Sequence, residues 1–158
     1  MRIRTLFLYL CLIGGLVFDA LCATLIFVPL TRDFIKYYHN PWTATLMGAG
    51  MFLGAIAFAY GCVQAWVMLR TIDKGQAFSQ RAVDLLRRLK WSVGFVAIGV
   101  AVCWPQYFVM AAMDDIPPLF YLMIMLMMVL LVIAVFLAIL QRLWQAALDY
   151  KQDSDLTV

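Results

Sequence analysis

Four long apolar runs decide what this chain can become. They occupy residues 6–30, 43–69, 91–113 and 119–140. Each reaches the ~20 residues that a helix needs to cross ~30 Å of hydrocarbon. None alternates in polarity, which excludes a transmembrane β-barrel. A soluble fold is excluded by what surrounds the runs. Of the 158 residues, 66% are hydrophobic and 13% charged, against about 45–50% and 25% in a soluble domain. That much apolar surface needs lipid to cover it. The expected fold is all-α: an antiparallel bundle of four transmembrane helices forming a single integral membrane domain.

The basic residues orient the bundle. Arg2 and Arg4 precede the first run, and Arg142 and Lys151 follow the fourth. Arg70, Lys74, Arg81, Arg87, Arg88 and Lys90 lie between the second and third. The other side holds Arg32 and Lys36 in one loop, and Asp114 and Asp115 with no base in the other. The positive-inside rule therefore places both termini and the 70–90 hairpin in the cytoplasm, as expected of a multi-pass protein of the bacterial inner membrane. Arg2 and Arg4 before an apolar stretch resemble a secretory signal. However, Asp19 stands where small residues should precede cleavage, and the run continues to Leu30. The segment is expected to be an uncleaved anchor.

At the hairpin the pattern stays helical. The second helix should run past Arg70 and stop at Gly75, a residue suited to a helix C-terminus. Ser79 is placed to cap the next helix. Ala82, Leu85, Leu86 and Leu89 share a face there, with Arg81, Asp84, Arg87 and Arg88 turned away. Leu140, Leu143, Trp144, Ala147 and Leu148 form a second stripe beyond the fourth span. Helices joined by short turns are thus expected to extend into the cytosol. Pro105 should kink the third helix, because it removes a backbone donor.

Several residues are candidates for chemistry. Asp19 is an intramembrane carboxylate, which is costly in hydrocarbon. With Gln106 and Tyr107 at similar depth it forms a candidate polar site for a proton or cation. The competing reading is a hydrogen-bonded acid inside the bundle. Gly50, Gly54, Ala57 and Gly61 make a small-residue face that lets helices approach closely, and Gly94, Ala97 and Ala101 offer another. Packing within the bundle and homo-oligomerisation both fit these faces. The four cysteines lie inside apolar runs without a metal spacing. Of Met123, Met125, Met127 and Met128, helical geometry puts Met123 and Met127 on a common face. No metal or other cofactor is expected. Paired carboxylates within the membrane, phosphate loops and the nucleophile motifs of enzymes do not occur, and Asp114 and Asp115 are consecutive loop residues that rarely converge on one substrate, so no catalysis is expected. A net charge of +3 is too small for direct nucleic-acid binding. The basic stripe of Arg81, Arg87, Arg88 and Lys90 suits anionic lipid headgroups or an acidic partner, or serves topology alone.

The stretch from Leu69 through Arg70, Thr71, Ile72, Asp73, Lys74 and Gly75 to Phe78 and Ser79, followed by Leu85 to Lys90, resembles the cytoplasmic-hairpin motif of the YoaS-like bacterial membrane proteins. The ending Asp155-Leu156-Thr157-Val158 is similar to that group's tail, although Gln152-Asp153-Ser154 departs from it. The resemblance implies a four-span domain of unknown function with no assigned activity, often encoded beside a Cro/C1-type helix-turn-helix regulator. By association it directs attention to a surface of Arg70, Asp73, Lys74, Phe78, Arg81, Arg87, Arg88, Leu156, Thr157 and Val158. The leading expectation is a regulatory interaction protein that presents this surface to a cytosolic partner such as that regulator. The alternatives are a small transporter, channel or export subunit working through Asp19, and immunity to a membrane-active peptide.

Overall fold

The computed structural model describes residues 3–75, 79–114 and 117–156, and every regular element among them is helical. The first span is built from three pieces. Helix α1 covers Ile3–Cys22, a π-helical turn covers Ala23–Phe27, and α2 covers Val28–Tyr38. The π turn has a local cause. Pro29 sits in the first turn of α2, and its ring would collide with the carbonyl four residues back, at Leu25. Widening the backbone across residues 23–27 relieves that collision. The rod then continues past Leu30 to Tyr38. It ends at His39, which adopts a left-handed φ of 51°.

Helix α3 covers Pro41–Asp73, α4 Gln80–Met113 and α5 Pro117–Leu156. Gly75 has a positive φ of 74° and its N–H donates to the Ile72 carbonyl, closing α3. Ser79 opens α4, its hydroxyl accepting from the Ala82 N–H at 3.3 Å. Both ends follow the sequence signals. Helix α4 runs unbroken through Pro105. Four helices are long and apolar enough to cross a membrane; the protein is a multi-pass membrane protein.

Side-chain pairs fix the register of three antiparallel interfaces. Between the first span and α3, Tyr9 meets Trp66, Gly15 meets Phe58, Phe27 meets Phe52 and Thr31 meets Gly48. Between α3 and α4, Thr43 meets Gln106, Gly50 meets Gly99 and Ala57 meets Ser92. Between α4 and α5, Trp104 meets Phe120 and Lys90 meets Gln141. The helices therefore stand in chain order. Among the described residues no Cα of the first span comes within 8 Å of one in α5. The bundle is open along that side, and the two outer spans flank a trough floored by α3 and α4.

Small residues make the central interface. A Cβ added to Gly50 would lie 2.6 Å from the Gly99 carbonyl oxygen and 2.8 Å from Cys103 Sγ. Such an approach is open only to glycine. The Ser92 hydroxyl donates to the Ala57 carbonyl at 2.7 Å across the same seam. The α4 side of the seam is thus Ser92, Gly99, Cys103 and Gln106, all buried. It is not the Gly94–Ala97–Ala101 face, where Gly94 has open space beside it.

The helices outrun the bilayer. At 1.5 Å per residue the 33 residues of α3 and the 40 of α5 measure roughly 50 and 60 Å, against ~30 Å of hydrocarbon. For α5 the excess follows its apolar run, at the hairpin end, where the start of α1 meets the end of α3. Thr71, Ala82, Val83, Leu85, Leu86 and Leu148 are buried there. The register of the Lys90–Gln141 pair brings Leu148 level with Val83. A small apolar core thus continues past the third and fourth apolar runs. In the α5 stripe, Leu148 turns inward, whereas Leu143 and Ala147 are exposed. Helix α4 covers a single line of α5, narrower than the apolar arc of the sequence.

Candidate functional site

Two places gather the chemically distinctive residues. The first is at the hairpin end, between the start of α1 and the end of α3. Leu6, Tyr9, Trp66, Arg70, Asp73 and Lys74 surround a pocket of about 490 Å³. Helical spacing produces it: Trp66, Arg70 and Asp73 recur at four and three residues, so they share a face of α3. Tyr9 packs edge-on against Trp66 with ring centroids 4.5 Å apart, and its hydroxyl donates to Asp73 Oδ2 at 3.4 Å. The Arg70 guanidinium lies 5.9 Å from the centre of the Trp66 ring, within cation–π range. Three residues of the predicted surface, Arg70, Asp73 and Lys74, therefore come together here. Tyr9 and Trp66 join them, and neither carried a signal in sequence, since aromatic residues inside an apolar run read as filling.

The rest of that surface lies on α4. Arg81, Asp84, Arg87 and Arg88 are exposed, on the side of the helix opposite Ala82, Leu85 and Leu86. Lys90 is engaged with Gln141 Oε1 at 2.9 Å. Leu156 ends α5. Phe78, Thr157 and Val158 lie outside the described residues.

The second place is inside the membrane. Asp19 lines a cavity of about 280 Å³ in the trough, together with Gly50, Gly54, Cys103, Tyr107 and Met123. The π turn begins one helical turn after Asp19. Among the described residues no basic side chain shares this cavity. Gln106 does not reach it. Its side chain is fully buried and accepts from Thr43 Oγ1 at 2.6 Å, and among the described residues its Nε2 has no partner. The two neighbours on α4 point 100° apart, so Tyr107 faces the trough and Gln106 faces the start of α3. Nearby, the Tyr38 hydroxyl donates to the Asp114 carboxylate, fastening the end of the first span to the end of α4. Met123 faces the cavity, while Met125 and Met128 are exposed. No group of three metal-ligating side chains converges among the described residues.

Comparison with known proteins gives the chain its relatives. Residues 20–158 match the family described as protein of unknown function (DUF2975). Over 160 residues, covering 99% of both chains, it is 33% identical to the uncharacterized membrane protein YoaS of Bacillus subtilis (strain 168). The chain belongs to this YoaS-like DUF2975 family. No solved structure matches it. The family match takes in the whole hairpin and α5, and begins one residue after Asp19. Neither relative carries an assigned activity, so function must be argued from the two sites above.

Proposed function

We propose that this protein is a non-catalytic docking protein of the bacterial inner membrane, with its hairpin end and both termini in the cytoplasm. Its four spans hold a helical head made from the ends of α3, α4 and α5, and that head binds a cytosolic partner. The observation carrying this reading is the buried core of Ala82, Leu85, Leu86 and Leu148, which lies before the third apolar run and after the fourth. A loop that merely connects two spans needs no core. A rigid surface that presents Arg81, Arg87 and Arg88 outward does, because ordered side chains bind with a smaller entropic penalty. The partner suggested by the family resemblance is a helix-turn-helix regulator.

The test is affinity capture after crosslinking in native membranes. Three chains are compared: the intact protein, one ending at Tyr150, and R81Q/R87Q. The intact chain should retain the regulator, and the charge-neutralised head should lose it together with control of the regulator's target genes. Equal capture and unchanged expression in all three would remove the docking function.

A second reading rests on the Asp19 cavity. An acid facing a trough between two spans whose backbones, among the described residues, stay apart suits a membrane-embedded site for a cation or a proton. Flux into proteoliposomes that Asp19→Asn abolishes would favour it over docking. Flux that is absent, or indifferent to that substitution, would leave Asp19 a structural acid.

A further inference from the structure

A groove runs along the face of the α3–α4 seam. Its floor is Ala57 and Ser92, both buried. Its walls are Leu53, Ile56 and Tyr60 on α3 and Trp91 and Phe95 on α4, all exposed. Arg88 closes the hairpin end, and the enclosed volume is about 410 Å³. The floor is low because the seam needs small residues there. The walls are high because the positions beside it carry large ones. The floor's hydroxyl is already satisfied, since Ser92 donates to the Ala57 carbonyl. Apart from the Tyr60 hydroxyl and the Trp91 indole N–H, both toward the hairpin end, the groove is lined by apolar side chains up to Arg88.

The end of the groove lies where the bilayer changes character. Trp91 is the first residue of the third apolar run, and Tyr60 stands beside it on α3. Aromatic residues of this kind mark the headgroup level. Arg88 lies one turn beyond, exposed and, among the described residues, paired with no carboxylate. Its charged neighbours on α4 are Asp84, Arg87 and Lys90, and Lys90 is held by Gln141. With Arg81 two turns beyond Arg88, the balance around this mouth is positive.

We propose that this groove holds an acyl chain of an anionic phospholipid whose phosphate is bound by Arg88. The apolar walls fit a hydrocarbon chain, whereas a peptide backbone would find only Tyr60 and Trp91 at one end and leave most of its own polar groups unsatisfied. A guanidinium takes a phosphate through two parallel hydrogen bonds. The surrounding excess of basic residues selects an anionic headgroup over a zwitterionic one. Arg88 also belongs to the surface proposed for docking, so the lipid site is read by lipid retention and not by partner capture.

The experiment uses the full-length protein in nanodiscs of equal phosphatidylglycerol and phosphatidylcholine, with retained lipid counted by native mass spectrometry. The intact chain should retain phosphatidylglycerol in preference. Arg88→Gln should lower that retention about fivefold, the effect of about one basic residue near a membrane surface. Arg88→Lys should keep part of it, and Trp91→Ala should weaken it by removing a wall. Arg81→Gln, outside the groove, should change it less than twofold. The proposal fails if Arg88→Gln retains the preference, if Arg81→Gln loses as much, or if phosphatidylcholine is held equally well. Displacement of the lipid by millimolar inorganic phosphate would also overturn it, because the acyl groove would then contribute nothing. Helical content of each variant, together with the lysine variant, separates lost binding from lost folding.

Discussion

The α3–α4 seam and the attachment of the first span are two different ways of holding helices together in one membrane. At the seam, backbones meet: Gly50 and Gly99 leave no room for a Cβ on either side, and Ser92 hydrogen-bonds a carbonyl across the gap. The first span meets α3 through aromatic edges at Tyr9–Trp66 and Phe27–Phe52, and its end is fastened by Tyr38 to Asp114. In the most apolar stretch of α3, 39% of residues are buried, while the corresponding stretches of the first span and α5 have none. Lipid tails are as apolar as leucine, so helices in a bilayer gain little from hiding apolar surface against each other. They gain from close packing and hydrogen bonds. Helices α3 and α4 thus form the rigid unit, with the first span and α5 hung on its sides and their backbones, among the described residues, apart. The trough between them, with Asp19 in it, is a consequence.

The sharpest way to break this contrast is a side chain at Gly99. Its Cβ would meet the Gly50 carbonyl oxygen at 2.7 Å and the Gly54 nitrogen at 2.9 Å. Those are backbone atoms of a helix and cannot turn aside. Gly99→Val should therefore destabilise the fold by about 3 kcal/mol, the upper range for overpacking. Gly94→Val, with nothing within 4 Å, should cost less than about 1 kcal/mol, its helix-propensity effect included. The check is the fraction folded across a titration of sodium dodecyl sulfate into mixed micelles. Equal losses would mean that the seam is not the rigid unit.

The next effect extends the seam past the bilayer. Leu86→Ala in the head core should cost about 2–3 kcal/mol, as for buried leucines elsewhere. It should also expose the α3–α4 hairpin to proteolysis while the spans stay protected. Leu143→Ala, on an exposed position of α5 that is 60% accessible, should change stability by less than about 0.5 kcal/mol. Cleavage of both variants at equal rates would mean that the head has no core of its own.

Sequence made the spans legible because crossing hydrocarbon is a requirement on length and polarity, which a chain displays residue by residue. Gly75 and Ser79 were legible for a similar reason, since helix ends are local chemistry. On α3, Gly50, Gly54, Ala57 and Gly61 were readable as a close-packing face; Gly50, Ala57 and Gly61 are buried, whereas Gly54 is half-buried and a Cβ there would meet nothing. On α4 the same logic pointed to Gly94, Ala97 and Ala101, and the seam instead uses Ser92, Gly99 and Cys103. A helix with small residues on two faces does not reveal which one a partner will choose. The open side of the bundle left no mark at all, because lipid-facing and helix-facing leucines are the same residue. Nor did the Tyr38–Asp114 and Thr43–Gln106 contacts, whose members are 76 and 63 residues apart. At the candidate sites, Asp19 stood out as a lone intramembrane acid. The trough it faces, and the meeting of Tyr9, Trp66 and Arg70, emerge when distant turns of helix are brought side by side.

A smaller effect probes how the seam ends. Thr43→Val removes the hydroxyl that Gln106 accepts from, and leaves a buried amide with no partner for either end. That should cost about 1–2 kcal/mol, because an unsatisfied polar group keeps its full desolvation penalty. The pair T43V/Q106L, with both polar partners gone, should recover most of the loss. Additive losses in the double variant, measured by the same titration, would show that the Gln106 side chain contributes through a contact other than Thr43.

The smallest expected change is at the other end of the first span. Tyr9→Phe keeps the edge-on contact with Trp66 and deletes one hydrogen bond, to Asp73 at 3.4 Å. That bond is long and Asp73 is exposed, so water replaces it readily. The cost should be about 0.5 kcal/mol, at the low end for a single hydrogen bond. Tyr9→Ala removes the ring as well and should cost more, because the aromatic pair contributes about 0.5–1.5 kcal/mol beyond its area. The ratio of the two decides how the first span is held at the hairpin end. If phenylalanine behaves like tyrosine and alanine does not, packing against Trp66 is the fastening. If phenylalanine already loses as much as alanine, the fastening is polar, and the first span is anchored by hydrogen bonds at both ends rather than by aromatic edges along its length.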